Sequence, residues 1–291
     1  MSAPAGAVWR GYDQESLDAQ YNNRRRFPDY IARFEAWAQW STATRTALDA
    51  RLDLPFGDQP SERLDVFPAA RSGAPLYVFI HGGYWYSLDK RDFSYVARGM
   101  VPNGVTTVVN NYALAPNVDM DEIVRQNRAA LAWLWRSADE LGADRDRIYV
   151  TGHSVGGHLA AMLLATNWRR FGDDLPSDLV KGACAISGLF ELEPIRLAYL
   201  NQSLKLTPEM AARNSPALLD YPRPAPLFLV VGEDESTEYH RQSEHMAAKW
   251  RDLGYPCEYL VPRQLDHFAI VDCLIDPDAD LVRRQLEQMP R

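Results

Sequence analysis

The sequence predicts one α/β domain, residues 1–291, built on a mostly parallel central sheet flanked by helices. Three observations carry that expectation. From residue 76 onward, short strand-like runs alternate with amphipathic helical stretches. The runs are apolar throughout instead of alternating, as strands buried on both faces are. The length of 291 residues and a hydrophobic content of 46% suit a single domain with a substantial core, and no internal repeat or low-complexity tract breaks the chain.

Taken in order, residues 13–48 read as helical. Leu17, Tyr21, Ile31, Phe34, Trp37 and Trp40 recur at helix-like spacing, with Pro28 as a break. Arg24, Arg25 and Arg26 form a short basic run with Asp29 and Glu35 close behind, which reads as a solvated helix end. Residues 76–80 and 105–109 are the first strands, the former running into His81-Gly82-Gly83. Residues 121–141 form an amphipathic helix closed by Gly142. A strand at 147–151 and an Ala-rich helix at 156–166 follow. Further strands are expected at 182–187, 226–231 and 257–261, with helices at 239–253 and 278–288, the last started by Pro277. Residues 189–222 break the rhythm with Pro194, Pro208, Pro216 and Pro222; because strand pattern resumes at once, they are expected to form a small inserted cap.

The chemistry concentrates at four places. Gly152-His153-Ser154-Val155-Gly156 fits G-x-S-x-G between a strand and a helix, the setting of a nucleophile elbow, so Ser154 is the expected nucleophile. A serine needs a base from elsewhere in the chain. Of six histidines, His153 and His158 sit too close in sequence to swing over the hydroxyl, and His240 and His245 fall within a helix. His267, just past the last strand, is the expected base. The orienting acid should follow the strand at 226–231, where Gly232-Glu233-Asp234-Glu235 stands. Glu235 is put first and Asp234 is its rival. His81-Gly82-Gly83-Tyr84-Trp85 follows a strand, and its bare glycines expose backbone N–H groups. With the N–H of Val155, Gly82 and Gly83 would form an oxyanion hole, leaving His81 a structural role. Chain order is serine, acid, histidine, as the α/β-hydrolase fold demands.

With HGGYW, GHSVGG, GEDES and DHF together, the sequence resembles the kynurenine formamidase (arylformamidase) branch of the α/β-hydrolases, within a wider group of HGG-containing esterases. The likeness runs over nearly the whole chain, including Leu17-Asp-Ala-Gln-Tyr-Asn-Asn23 and Glu238-Tyr-His-Arg-Gln-Ser243. It implies Ser154 as nucleophile, His267 as base and the acid at Glu235, where eukaryotic members carry the shorter Asp. A carboxylesterase is the activity put first; an arylformamidase acting on N-formyl-L-kynurenine is the alternative, and a catalytically silent binding protein is the remote third. A bulky aromatic leaving group would suit Tyr84, Trp85, Tyr112 and Phe268, which are expected to bind substrate.

The formal net charge of −8 repels phosphate backbones and anionic lipid, so neither nucleic acid nor membrane is an expected partner. A small-molecule ester or amide is, and a homodimer stays open. Three cysteines lack paired spacing and no histidine pair has i,i+4 ligand spacing, so no metal and no cofactor are expected. The N-terminal residues lack an export signal, no apolar run approaches about 18 residues, and a cytoplasmic location is the expectation.

Overall fold

The computed structural model describes residues 6–289; the first five residues, on which part of the export-signal reading falls, lie outside the described residues. Eight strands form one sheet in the order β1-β2-β4-β3-β5-β6-β7-β8. They are β1 (Arg51–Pro55), β2 (Arg63–Phe67), β3 (Ala74–Ile80), β4 (Thr106–Asn110), β5 (Ala143–His153), β6 (Val180–Ile186), β7 (Leu227–Val230) and β8 (Cys257–Leu260). From β4 to β8 every pairing is parallel; β1 and β2 add an antiparallel edge. This is the α/β-hydrolase fold.

The continuous apolar runs are explained by two cores. Leu76, Val78 and Ile80 of β3 enter one hydrophobic cluster, while Tyr77 and Phe79 enter the other. The same division separates Leu227 and Leu229 from Phe228 and Val230 on β7. Side chains alternate faces along a strand, and here both faces are covered.

Two strands escaped the sequence reading. In β2, Arg63-Leu-Asp-Val-Phe67, the central Asp65 is only 1% exposed and meets Lys90 Nζ at 2.6 Å. A buried ion pair thus occupies a strand position that hydrophobicity alone does not reveal. The helix expected over 121–141 spans Met120–Ser137, and Gly142 (φ +69°) closes the following turn into β5 rather than the helix itself.

Residues 13–48 form three helices, Gln14–Tyr21, Asn23–Arg26 and Tyr30–Ala47. They are anchored over the carboxyl edge of the sheet. Tyr21 Oη donates to Glu238 (2.8 Å), Asn23 Nδ2 to Tyr239 Oη (3.1 Å) and Trp37 Nε1 to Asp272 (2.5 Å). Arg33 bridges Asp272 and Asp266. Residues 189–222 fold into short helices, Glu193–Leu197, Asn201–Leu204 and Pro208–Arg213. No helix among the described residues is long and apolar enough to cross a membrane.

Three buried histidines make stability depend on pH. Burial pushes the His158 imidazole down to about 4, and lowers His81 and His153 as well. Below the ordinary value of 6.5 the unfolded chain takes up protons that the folded chain refuses. Stability is therefore complete above pH 6.5 and is lost progressively toward pH 4. For His158 alone this linkage amounts to about 2 kcal/mol at pH 5. The urea midpoint is expected to be flat from pH 8 to 7 and to fall from pH 6.5 to 5, above the ordinary carboxylate range. A flat midpoint across that window would contradict this account of the core.

Candidate active site

Ser154 stands between β5 and the helix Val155–Leu164 with φ +57° and ψ −119°, a backbone conformation that costs energy for any L side chain. The turn is possible because its neighbours carry no Cβ. One on Gly152 would lie 2.0 Å from the Gly156 carbonyl oxygen, and one on Gly156 would lie 2.0 Å from that of Ile80. Ser154 N–H donates to the Ile186 carbonyl (2.7 Å), tying the turn to β6.

The structure brings the expected partners together. His267 Nε2 lies 3.1 Å from Ser154 Oγ, and His267 Nδ1 lies 2.7 Å from Glu235 Oε2. Glu235 Oε1 accepts from Ser187 Oγ (2.5 Å) and from the Gly232 N–H (2.8 Å), so the carboxylate is fixed from both sides. Its rival Asp234 is exposed, whereas Glu235 is 6% exposed. Of the two, Glu235 is the one bonded to His267.

His153 supports His267 from behind. Its Nε2 sits 2.7 Å from the His267 carbonyl oxygen, which only accepts, so the proton is on Nε2. Burial, then the nearness of the His267 imidazole, lowers its pKa and favours the neutral ring. Tyr239, missed as a site residue in the sequence, packs its ring 4.8 Å from that of His267, and its buried hydroxyl faces the Ser154 and Tyr84 side chains.

The glycine loop lies beside the serine. A Cβ on Gly82 would meet the Ser154 Cβ at 3.2 Å, and Gly83 (φ +113°) lines the space at Ser154. Val155 is the first residue of its helix, so its N–H has no intrahelical partner. His81 bonds within this loop, its ring nitrogens lying 2.8 Å from the Gly82 carbonyl oxygen and 3.1 Å from Asn111 Oδ1. Its place is structural.

Of the four aromatic residues expected to bind substrate, Tyr84 and Phe268 line the space at Ser154 and the other two do not. Trp85 is fully buried and packs edge-on against His158, 5.1 Å between centroids. Tyr112 stacks on His81 at 4.3 Å and donates to its carbonyl oxygen (2.9 Å). Both rings pack into the hydrophobic core instead. The remaining walls come from Arg24, Phe34, Trp37 and Leu88. Three of these, Arg24, Phe34 and Trp37, come from the N-terminal helices. None of residues 189–222, expected as the cap, lines this space, although Tyr199 interacts with Tyr86 at its side. The free volume is about 20 Å³, roughly what one water needs. Among the described residues no group of three or more His, Cys, Asp or Glu is arranged to hold a metal ion.

Residues 64–250 match the BD-FAE family. The chain is 31% identical to a kynurenine formamidase of Danio rerio over 97% of its own length and 98% of the relative's. A candidate thioesterase of Silicibacter sp. TM1040 superposes with a TM-score of 0.82 at 28% identity, covering 92% of this chain and 97% of that one. An esterase of Pyrobaculum calidifontis, at 19% identity, shares the fold with a TM-score of 0.73 over 91% of this chain and 95% of its own.

Proposed function

This chain belongs to the BD-FAE family, and on that premise we propose that it is a serine hydrolase acting through Ser154, His267 and Glu235, with an aryl formamide as the preferred substrate. The observation that carries the reading is the arrangement of Ser154: a strained, buried hydroxyl in bonding reach of an imidazole that a buried carboxylate orients. The surrounding rings of Phe34, Trp37, Tyr84 and Phe268 offer an aromatic leaving group its contacts.

In this mechanism His267 Nε2 takes the Ser154 proton as Oγ attacks the carbonyl carbon. The oxyanion forms against the N–H groups of Gly82, Gly83 and Val155, which are fixed before the reaction starts. Glu235 holds the Nδ1–H of His267 and steadies the imidazolium. His267 then protonates the departing amine or alcohol. Water, activated by the same imidazole, attacks the acyl-enzyme and frees Ser154.

A second reading, a carboxylesterase, uses the same machinery and is supported by the thioesterase and esterase neighbours in structure. The two are separated by comparing N-formyl-L-kynurenine with p-nitrophenyl acetate and butyrate. The formamide is expected to have the largest kcat/KM. If only the esters turn over, the esterase reading replaces the formamidase one.

A further inference from the structure

The Arg24-Arg25-Arg26 run divides in the structure. Arg25 and Arg26 are exposed, but Arg24 is half-buried and lines the space at Ser154. It is the one arginine or lysine among the described residues lining that space. Its guanidinium donates to Ser87 Oγ (2.8 Å), and Ser87 Oγ donates in turn to the Gly83 carbonyl (2.9 Å). It rests over the rings of Tyr30 (5.7 Å) and Phe34 (5.9 Å). Its charge also acts on the phenols of Tyr86 and Tyr199.

What it lacks is an acid. Arg33, on the next long helix, is paired with three aspartates. Arg24 forms no ion pair among the described residues, so its charge is balanced only by aromatic faces and one hydroxyl. A guanidinium fork with donors unspent, held in a cleft of a chain of net charge −8, is suited to a carboxylate brought by a ligand. The overall negative field repels such a ligand, and a local cation is what would overcome the repulsion.

We infer that Arg24 is a specificity-determining anion anchor: it holds a carboxylate on the leaving-group part of the substrate while the carbonyl lies at Ser154. The inference rests on the proposed role of Ser154 for the position of the carbonyl. Because Arg24 hangs on Ser87, and Ser87 on Gly83, a bound carboxylate also braces the glycine loop that faces the oxyanion.

The test uses 2-, 3- and 4-acetoxybenzoate, which set the carboxylate at three distances from the ester carbon, beside the uncharged acetoxybenzamides. Affinity is measured calorimetrically in the Ser154→Ala background, and kcat/KM in the active chain. With Arg24 present, at least one benzoate is expected to bind tenfold or more tightly than its benzamide. Arg24→Gln should reduce that ratio at least tenfold, and Arg24→Lys should restore part of it, having charge without the fork. A merely structural Arg24 would lower both compounds together and leave the ratio unmoved, which would overturn the inference, as would the absence of any preference for the benzoates. If the binding preference depends on Arg24 while the wild-type chain hydrolyses neither these compounds nor N-formyl-L-kynurenine nor p-nitrophenyl acetate, the anchor stands and the hydrolase reading falls. If both esters turn over without preference, the reverse holds.

Discussion

Ser154→Ala is expected to reduce kcat/KM on every substrate by about 10⁴-fold or more, leaving only what the oxyanion donors and binding contribute. The change removes one oxygen at a site that is 2% exposed, and the backbone strain at φ +57° remains whatever the side chain. Stability should move by less than the activity suggests: the urea midpoint stays near that of the wild-type chain while turnover vanishes. A Ser154→Ala variant that kept a tenth of the wild-type rate would place the nucleophile elsewhere.

The second large effect separates two adjacent acids. Glu235→Gln keeps the shape but offers an amide where Ser187, Gly232 and His267 all donate. The imidazole then loses the partner that fixes its tautomer, and kcat is expected to fall about 10³–10⁴-fold. Asp234→Asn should stay within about threefold of wild type, because that side chain is exposed. Measured side by side on the best substrate, the pair gives opposite answers. Equal losses, or a loss confined to Asp234, would assign the acid wrongly.

How far the sequence exposed this site depends on the kind of signal each residue carries. Ser154, the glycine loop and His267 sit at the ends of strands with local motifs around them, and the topology of a parallel sheet brings such ends to one edge. Glu235 and Asp234 could be separated only by burial, since both follow the same strand and differ by one position. The roof was hidden for another reason. Phe34 and Trp37 lie on a helix whose apolar spacing reads as ordinary core packing, and nothing local tells that the helix crosses the carboxyl edge. Arg24 was masked by its neighbours: a run of three arginines suggests a solvated end, yet one of them turns inward. Trp85 and Tyr112 misled in the opposite direction, for proximity in sequence to the glycine loop does not say on which side of it a ring packs. The strand β2, second from the edge of the sheet, escapes because Asp65, paired with Lys90, interrupts its apolar pattern.

The fold-level reading survived these misses because it rests on the central strands, where each residue is buried whichever face it occupies. Burial on both faces leaves a compositional signature; placement of one side chain at a cleft does not.

The most direct test of the central claim is covalent. The wild-type chain is treated with a fluorophosphonate, and the modified peptide is identified by mass spectrometry, with substrate present or absent. The account predicts one adduct per chain, on Ser154, formed more slowly when substrate is present and not formed in Ser154→Ala or after the buried Glu235 is replaced by Gln at matched times. An adduct on another residue, or none on Ser154 in a chain that hydrolyses its substrate, would contradict it.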